Sequence, residues 1–588
     1  MSSNEIVIGL VGEGNESGVG SAGKILTTAA ARSGFNVITF REYPSRIWGG
    51  LNAFQVRISK NQVYSIGDQL DVLVAFDKEN YNLYRRYLRE DGVAIFETKD
   101  SEKIGNRPKY SYPVPLEEIV KASGIPREFI QKSRNIVSLG VLSSLFNIPY
   151  DPIKEEIVKN FGKKDKQILD GNLTALKNGF DYATKLKKED EFKFDTENLN
   201  PTERMVITGN EMIGLASILA GLDFFAGYPI TPASSILEYL ERNLPKYNSK
   251  GVVVQAEDEI ASIIMLAGAS YTGAKAMTST SGPGLSLMME GIGQASMLEL
   301  PILIVDCQRT GPSTGMPTKT AQGDLGMLLN AGHGDTSKII LNVGDVEDCY
   351  YQTIRALNYA EKYQIPVFLM TELAICDRFE AIKLPETVEI AKRAQPSEKD
   401  LEEYEKYRKE CVEKNIKPHH FKRYKLTEDF ISPFSIPGTS AISYANSAEH
   451  DEEGYTSESR SNATAMVNKR FKKLVPLTGN EDFKFVCDGK NKSAIIGWCG
   501  SKGAITEAFI ETDRDLDYYY PYQLYPFSTI LAKKLRSYEQ VIVPELNHEG
   551  QLASYLRSMG INAISFTKTE GYPFTTKEIK EIINEVAK

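Results

Sequence analysis

The stretch FAGYPITPASSI (residues 225–236) and the longer run VVQAEDEIASIIMLAGASYTGAKAMTSTSGPGLSLMMEGIG (residues 253–293) decide the fold of this chain. They predict a buried strand ending in a turn with two prolines, a helix with an acidic first turn, and a Gly-rich turn into another helix. Such alternation is typical of an α/β domain with a parallel sheet. Because α/β sheets bind ligands at the carboxyl ends of their strands, the proline turn is a candidate ligand loop.

Strands and helical patterns alternate again on both sides of this stretch. Near the start of the chain EIVIGLV precedes a Gly-rich loop and an Ala-rich helix, and near the end SAIIGW precedes GSKGAITEAF. Two hydrophilic stretches between them are typical of a linker and of a long surface excursion. The sequence therefore predicts an α/β fold of three α/β domains with mainly parallel sheets. The predicted limits are 1–188, 205–386 and 491–588 for the domains, 189–204 for a linker, and 387–490 for a charged helix/loop excursion.

Composition and charge restrict the function classes. Of the 588 residues, 41% are hydrophobic and 25% are charged, as is usual for a soluble globular protein. The net charge of −9 argues against nucleic-acid binding, and no apolar run reaches the ~18 residues that span a bilayer. The start of the chain lacks the basic n-region of a signal peptide, so we expect a cytoplasmic protein. The six cysteines form no CxxC pair, so we expect neither a zinc site nor an iron–sulfur cluster in this chain.

The Gly-rich loop GVGSAGK (residues 18–24) matches the start of a phosphate-binding P-loop and also the GxGxxG pattern of dinucleotide-binding units. Ile25 stands where a P-loop carries the Ser or Thr that ligates magnesium, and Glu42 is a poor candidate for the ribose-binding acid. The alternative is a glycine turn that lets a helix pack close to a sheet, or another anionic ligand at the helix N-terminus. The residues favour that alternative over nucleotide binding.

The loop GYPITP (residues 227–232) is stiff. The two prolines restrict their own backbone and push the preceding residue toward extended conformations, so Thr231 and the peptide groups of the loop are held in fixed positions. Pro232 then opens a helix whose free N–H groups face the loop. These features favour a ligand loop and a simple helix-starting turn equally.

The helix that begins with AEDEIAS (residues 256–262) carries three acidic residues in its first turn, which the helix dipole favours in any protein. Glu259 differs from its neighbours Glu257 and Asp258. Its partners at helical spacing, Ile263 and Leu266 among them, are apolar, so Glu259 lies along a buried face. A buried carboxylate needs a partner, which makes Glu259 a candidate functional residue.

Arg309 follows the buried strand ILIVDC and therefore lies at the carboxyl end of a strand. A guanidinium group there suits two-point binding of a carboxylate. The alternative is an exposed arginine in a Gly/Pro-rich loop.

In the loops and residues described above, the chain resembles the 2-oxoacid:ferredoxin oxidoreductases, in particular the fused gamma–alpha subunit of the archaeal type. The resemblance covers nearly the whole chain. YPITP together with QRTGPSTGMPT is a specific pair, whereas the Gly-rich loops alone are weak signals. The other similar runs are WGGLNAFQVRIS, TSTSGPG, TKTAQGDL, KRYKLTEDFISPFSIPG, EHDEEG and PELNHEGQL. The resemblance implies a gamma domain, a pyrimidine-type thiamine diphosphate domain, and a C-terminal domain like that of transketolase.

The resemblance also implies chemistry and site residues. A 2-oxoacid such as pyruvate, 2-oxobutyrate or 2-oxoglutarate is decarboxylated on thiamine diphosphate, its acyl group passes to coenzyme A, and its electrons pass singly to ferredoxin. By resemblance, Glu259 hydrogen-bonds the aminopyrimidine ring, with Glu257 as the alternative. Thr231 bonds the substrate, and Arg309 binds its carboxylate. The implied cofactor-binding residues are Tyr228, Pro229, Ile230, Thr231 and Glu259. In the loop YPSRIWGG (residues 43–50), otherwise a surface loop before a strand, the resemblance suggests a coenzyme A or subunit-interface role.

Two features that the chemistry needs are missing from the sequence. The diphosphate–magnesium motif GDG does not occur, and no set of cysteines is spaced to hold a cluster. The resemblance therefore implies that a beta subunit supplies the Mg²⁺ site and the [4Fe-4S] cluster. We expect a heterodimer in which the active site lies between the two chains, with no metal bound by this chain.

Three alternatives remain at this point. The first is an enzyme of the same family restricted to 2-oxoglutarate or indolepyruvate. The second is a nucleotide-dependent enzyme that uses the N-terminal Gly-rich loop. The third is a non-catalytic scaffold, which predicts the loss of Thr231, Glu259 or Arg309, although all three are present.

Overall fold

The structure is a computed structural model that describes residues 2–14, 17–45, 49–104, 107–163, 165–186, 188, 190, 192–199, 201–487, 491–512 and 516–586. Arg46 and Trp48, part of the loop for which a coenzyme A or interface role is predicted, lie outside the described residues. The α/β class is confirmed, with helices packed on three large sheets.

The N-terminal part of the chain forms a mixed sheet covered by helices. The strands of this part of the chain are β1 (Ser2–Ser3), β2 (Glu5–Glu13), β3 (Asn36–Glu42), β4 (Leu51–Ser59), β5 (Leu70–Ala75), β6 (Leu88–Glu97), β7 (Tyr110–Val114) and β8 (Lys193–Phe194). Strands β1 and β8 pair only with each other, in a separate two-stranded sheet. The helices of this part are α1 (Val19–Arg32), α2 (Lys78–Tyr84), α3 (Leu116–Lys121), α4 (Ile130–Phe146), α5 (Tyr150–Phe161) and α6 (Lys166–Ala183), with 3-10 turns at Arg85–Tyr87, Thr98–Lys103 and Arg127–Phe129. Strands β2, β5, β6 and β7 run parallel, whereas β4 is antiparallel to both β2 and β3.

The middle part of the chain contains the fold-deciding stretch. Its strands are β9 (Arg204–Thr208), β10 (Phe224–Gly227), β11 (Val252–Gln255), β12 (Ala276–Thr280), β13 (Ile302–Gln308), β14 (Ile339–Asn342), β15 (Pro366–Glu372) and β16 (Phe379–Lys383). Its helices are α7 (Gly209–Leu219), α8 (Ser234–Tyr247), α9 (Glu259–Tyr271), α10 (Gly282–Met297), α11 (Leu325–Leu329), α12 (Val346–Tyr363) and α13 (Leu373–Cys376). Strands β11, β10, β12, β13, β15 and β14 form a parallel sheet in that order. Strands β13 and β15 are buried along their full length, which explains their apolar runs ILIV and PVFLM.

The last part of the chain forms a third sheet. The helices α14 (Glu398–Glu413), α15 (Arg460–Lys472) and α16 (Val475–Thr478) precede it. Its further elements are β17 (Phe483–Val486), β18 (Ser493–Ile496), α17 (Ser501–Glu511), β19 (Leu516–Pro521), β20 (Gln523–Tyr525), α18 (Thr529–Leu535), β21 (Gln540–Glu545), α19 (Gln551–Ser558), β22 (Ala563–Thr567) and α20 (Thr576–Val586). Strands β19, β18, β21 and β22 are parallel, and β17 is antiparallel at the edge.

The sheets cross the predicted domain limits, which remain predictions. Strand β16 pairs antiparallel with both β3 and β9. Strands β16 and β9, which come from the middle of the chain, therefore extend the N-terminal sheet. Strand β20 pairs antiparallel with β14 and so extends the middle sheet. Backbone hydrogen bonds of this kind join the middle unit to each of the other two, and the N-terminal and C-terminal units also contact each other directly, through Arg57 and Glu507.

The excursion of residues 387–490, between the second and third units, was predicted to lie on the surface, but part of it is buried. Helix α14 is largely exposed, but Arg423, Tyr424, His450, Lys469 and Lys473 are buried. The side chains of Arg423, Lys469 and Lys473 bond Gln364 and Glu299 of the middle unit, contacts that the hydrophilic composition did not predict. Among the described residues, no helix has the length and apolar composition needed to cross a membrane.

Candidate active site

The loop after β10 is held by the neighbouring helix α7. Asn210 donates hydrogen bonds to the carbonyl oxygen of Pro232 at 2.8 Å and to the Ser235 hydroxyl at 2.8 Å. The peptide bond before Pro232 is cis, and α8 begins at Ser234. Tyr228 is exposed at the start of the loop, at the carboxyl end of a parallel strand. The loop is therefore a fixed feature of the sheet edge, as its prolines predict.

Arg309 and Thr231 are brought together. The Arg309 Nη1 atom donates a hydrogen bond of 2.8 Å to the carbonyl oxygen of Thr231, which leaves the Thr231 hydroxyl outside this contact. Arg309 is 9% exposed, and its Nε atom has no hydrogen-bond partner within the described part of the chain. Burial lowers the pKa of the guanidinium, while nearby Asp324 acts in the opposite direction. Arg309 is thus a buried cation with a free donor, rather than an exposed loop arginine.

Glu259 is the first residue of α9 and is 5% exposed. The helix is capped by Asp258, whose carboxylate accepts the Ala261 N–H at 2.7 Å, so Glu259 is not needed as a cap. Gly284 of α10 lies against it, since a Cβ atom on that glycine would come within 2.4 Å of Glu259 Oε1. In the described part of the chain, no hydrogen bond or ion pair reaches the Glu259 carboxylate. Glu257, the alternative, is exposed.

Two further acids near Arg309 were missed by the sequence reasoning. Asp306 lies on β13, is 0% exposed, and neither of its carboxylate oxygens has a hydrogen-bond partner among the described residues. Burial and the neighbouring Asp324 raise the pKa of Asp306 well above its usual value. Burial raises the pKa of Asp324 to about 6, against the opposing effect of Arg309. The sequence signal for Asp324 was its place in the run QGDL, after the end of the buried strand β13, but the sequence reasoning assigned no role to this residue.

Arg309 and Asp324 line a cavity of about 830 Å³ between the middle and C-terminal units. Backbone atoms of the Asp324 loop are held from both sides: the Asp324 N–H donates to Gln308 Oε1 at 3.1 Å, and Gln551 donates to the Gly323 carbonyl at 2.7 Å. Five ionisable side chains line the cavity: Arg309, Asp324, His548, Glu549 and Lys568. The cavity can therefore hold an anion beside Arg309.

The N-terminal Gly-rich loop has a packing role. A Cβ atom on Gly23 of α1 would come within 2.3 Å of the Phe54 ring on β4, so glycine allows the helix to lie close to the sheet. Lys24, the lysine of the apparent P-loop, lies 5.4 Å over the ring of Phe379. Glu42 is buried and pairs with Lys319 at 3.2 Å. These contacts agree with the packing alternative and leave no ribose-binding acid at Glu42.

Helix α9 and its neighbours expose apolar side chains around Glu259. Ile260, Ile264 and Met265 of α9 and Leu287 of α10 are exposed, and the edge strand β11 exposes Val252. We call these five side chains the apolar face. Because α9 also has a buried apolar side, it is apolar on all sides, which is typical of a helix that is covered completely. Among the described residues, no group of three or more His, Cys, Asp or Glu side chains is arranged to hold a metal ion.

Comparisons with known proteins agree with this geometry. Residues 215–469 match the family described as pyruvate flavodoxin/ferredoxin oxidoreductase, thiamine diP-bdg, and residues 8–182 match pyruvate ferredoxin/flavodoxin oxidoreductase. The 2-oxoacid:ferredoxin oxidoreductase subunit alpha of Sulfolobus sp is 31% identical, over 98% of this chain and 96% of that protein. The 2-oxoglutarate oxidoreductase subunit KorA of Mycobacterium tuberculosis is 31% identical, over 98% of this chain and 91% of that protein.

A solved structure is similar over the full length of both chains. The 2-oxoglutarate:ferredoxin oxidoreductase from Magnetococcus marinus, with 2-oxoglutarate, coenzyme A and succinyl-CoA bound, is 36% identical, covers 100% of each chain and gives a TM-score of 0.90. The chain therefore belongs to the family of 2-oxoacid:ferredoxin oxidoreductase alpha subunits.

Proposed function

We propose that this chain provides the substrate and aminopyrimidine side of an enzyme that converts a 2-oxoacid and coenzyme A into acyl-CoA and CO2. In the overall reaction R–CO–COO⁻ and CoA–SH give R–CO–S–CoA, CO2, one proton and two electrons, which ferredoxin accepts. The observation that carries the proposal is the placement of two buried ionisable side chains, Glu259 and Arg309, at the carboxyl-end edge of one sheet, where the Arg309 Nε donor has no partner in the described part of the chain.

Glu259 fits the aminopyrimidine ring of thiamine diphosphate. Its carboxylate is buried, has no partner in the described part of the chain, and lies against Gly284, where any larger side chain would displace it. A buried carboxylate is costly unless it receives a hydrogen bond, and a ring nitrogen or amino group can supply one. Thiamine diphosphate supplies the carbon nucleophile and the electron sink of the decarboxylation. Glu259 would hold a proton at the ring, while Tyr228, Pro229, Ile230 and Thr231 would form the adjoining wall.

Arg309 fits the carboxylate that all 2-oxoacids share. Its Nη1 atom is fixed by the Thr231 carbonyl, and its Nε donor remains free beside the cavity. A planar guanidinium that is held on one side presents its remaining donors in a fixed direction, as carboxylate binding requires. The Thr231 hydroxyl is free of the Arg309 contact and can bond a substrate oxygen.

A beta subunit is proposed as the partner that completes the site. It would contribute the diphosphate–Mg²⁺ site and the [4Fe-4S] cluster, since the sequence has neither a GDG motif nor clustered cysteines. The apolar face around Glu259 supports this arrangement, because it leaves an all-apolar helix exposed next to the cofactor position. We propose a cytoplasmic heterodimer of the gamma–alpha type in which the cofactor lies between the chains.

A narrower specificity is the second candidate. The related enzyme from Magnetococcus marinus is a 2-oxoglutarate:ferredoxin oxidoreductase, and the cavity of this chain continues from Arg309 toward His548 and Lys568. The Lys568 ammonium at that end, which also pairs with Glu578, would suit the distal carboxylate of 2-oxoglutarate. Comparing kcat/KM for pyruvate, 2-oxobutyrate and 2-oxoglutarate distinguishes the two candidates, since only a broad enzyme accepts all three at similar rates.

The proposal is tested by expressing the chain with and without its partner subunit. Alone, the chain should contain no iron by elemental analysis, show no visible absorption band and be inactive. With the partner, the preparation should contain iron, show a visible absorption band and be active. One iron–sulfur cluster per isolated chain would contradict the two-chain arrangement.

The apolar face allows a sharper version of this test. Ile264→Glu should abolish co-purification of the partner, because it places a charge in the centre of the proposed contact. Val412→Glu on α14 changes an apolar residue outside the apolar face that is more exposed than Ile264, at 73% against 44%, and is the matched control. Equal co-purification of both variants would show that the apolar face is not the contact.

A further inference from the structure

Asp306, which is fully buried, and Asp324, which is half-buried at the cavity wall, are the strongest ionisable feature that the proposed function does not use. Asp306 is adjacent to Thr280 across the sheet, and Asp324 packs against the first turn of α10. A Cβ atom on Gly282 would come within 2.8 Å of Asp324 Oδ1, so glycine is what allows the acid to lie there. The two carboxyl groups interact with each other, and only Asp324 lines the cavity.

The two acids cannot both be ionised at neutral pH. Asp306 has no solvent exposure and no hydrogen-bond partner among the described residues, so its charged form lacks any compensation. Like charges at close range also favour one shared proton, as in other carboxyl pairs. Asp306 therefore holds a proton, and Asp324 is the member of the pair whose charge can change near neutrality.

Asp324 faces groups of both signs. Arg309 favours its anion, as does the N-terminal end of α10 through Gly282. Burial favours its neutral form. Across the cavity the ionisable residues are His548 and Glu549, which are exposed, and Lys568, which is held by Glu578 at 2.7 Å. Without a ligand, the Asp324 anion and the Arg309 cation compensate each other.

An arriving carboxylate changes this balance. It places a second anion beside the single guanidinium of Arg309, which is 9% exposed. The substrate anion and ionised Asp324 would then compete for one cation. Protonation of Asp324 removes that competition.

We propose that Asp324, backed by Asp306, is a substrate-binding residue that takes up one proton from solvent when a 2-oxoacid carboxylate binds Arg309. The step converts one carboxylate and one solvent proton into a carboxylic acid, and no other bond changes. Arg309 is thereby free to bind the substrate, and the neutral acid can donate a hydrogen bond to a substrate oxygen. This inference rests on the proposed binding of the substrate carboxylate by Arg309.

The direction in which carboxylate affinity changes with pH follows from the pKa of Asp324 in the enzyme without ligand. Since the pKa of Asp324 is raised to about 6 without ligand, and a bound anion raises it further, affinity is highest and independent of pH below that value. Above it, affinity falls by about tenfold per pH unit until the pH reaches the pKa of the bound state. Within that window each binding event takes up as much as about one proton.

The test uses the enzyme purified with its partner subunit and oxamate, an unreactive mimic of a 2-oxoacid. Isothermal calorimetry in two buffers of different ionisation enthalpy counts the protons taken up, and the dissociation constant is measured from about pH 6 to 8. Wild-type enzyme should take up close to one proton per oxamate. Asp324→Asn should take up none and bind oxamate with a dissociation constant independent of pH.

Two further variants control the experiment. Glu549→Gln removes an exposed acid from the wall of the same cavity and should keep the wild-type proton uptake. Asp306→Asn should remove the infrared carbonyl band of a protonated carboxyl that wild-type enzyme shows at neutral pH.

The possible outcomes separate this inference from the proposed function. If oxamate binds, and Arg309→Ala abolishes binding, but wild type takes up no proton, only the role of Asp324 is overturned. The same holds if Asp324→Asn takes up as many protons as wild type. If wild-type enzyme does not bind oxamate, or Arg309→Ala binds it equally well, the carboxylate site itself is wrong, and the inference is overturned with it.

Discussion

Two buried glutamates of this chain have opposite surroundings. Glu259, beside the proposed cofactor position, is 5% exposed and has no partner in the described part of the chain, whereas Glu299 is 1% exposed and has two. Lys469 and Lys473 donate to its two oxygens at 2.5 and 2.8 Å. Burial alone would raise the pKa of Glu299, but these ammonium groups and Arg423 hold it below its usual range.

The difference shows what each carboxylate does. Glu299 joins the excursion of residues 421–473 to the end of α10, and its charge is compensated inside the chain. The Glu259 carboxylate has no bonded partner in the described chain, which is typical of a group kept for a ligand. A fully bonded buried acid is therefore structural, and an unbonded one at the ligand-binding edge of a sheet is a candidate for function.

The largest expected effect comes from Glu259→Gln, which keeps the shape of the side chain and removes its charge. Turnover should fall by roughly 10²–10⁴, the range for a lost general acid–base contribution, while the unfolding temperature should not fall. Steady-state kinetics and thermal unfolding of the enzyme with its partner measure both. Glu257→Gln should cost much less; if the two effects are reversed, Glu257 is the aminopyrimidine partner and the comparison fails.

The matching change at the structural glutamate should act on stability. Glu299→Gln leaves the ammonium groups of Lys469 and Lys473 buried without an anion, and breaking such a buried pair costs about 3–5 kcal/mol. We expect a lower unfolding temperature and faster hydrogen exchange of residues 421–473. In protein that is still folded, turnover should change little. A variant with unchanged exchange would show that the cluster does not hold the excursion.

The smallest expected effects come from replacing an arginine by lysine, at Arg309 and at Arg423. Arg309→Lys keeps the charge but loses the planar fork, so kcat/KM should fall on the order of 10–100-fold, equally for pyruvate, 2-oxobutyrate and 2-oxoglutarate. Arg423 is bonded inside the chain instead, donating to Gln364 at 3.1 Å and to the Glu299 carbonyl at 3.0 Å, 3.9 Å over the Phe434 ring. Arg423→Lys should therefore cost roughly 1–2 kcal/mol of stability and no activity.

The outcomes of these two variants sharpen the comparison in different ways. An Arg309→Lys enzyme that discriminates sharply among the three substrates would place this residue at the side-chain end of the pocket. One with unchanged kcat/KM for all three would return it to an ordinary loop arginine. Loss of activity in a fully stable Arg423→Lys variant would mean that the excursion takes part in the reaction.

The sequence alone determined the α/β class, the fixed loop at residues 227–232 and the buried side of α9. These features are local: proline restricts the backbone near itself, and helical spacing shows which side of a helix is covered. The order of buried strands likewise placed Arg309 at a strand end. Periodicity therefore identified Glu259 as buried before any contact was known.

Only the tertiary structure decided what lies opposite each buried group. Glu299 meets Lys469 at a separation of 170 residues, and no local pattern in a hydrophilic stretch predicts such a pairing. The extension of the N-terminal sheet by β9 and β16 is equally non-local. Asp324 gave only the weak signal of an acid in a Gly-rich loop, because its properties come from Asp306, Arg309 and the glycine beneath it. Periodicity shows that a side chain is buried, but its charge state depends on neighbours that only the folded chain brings together.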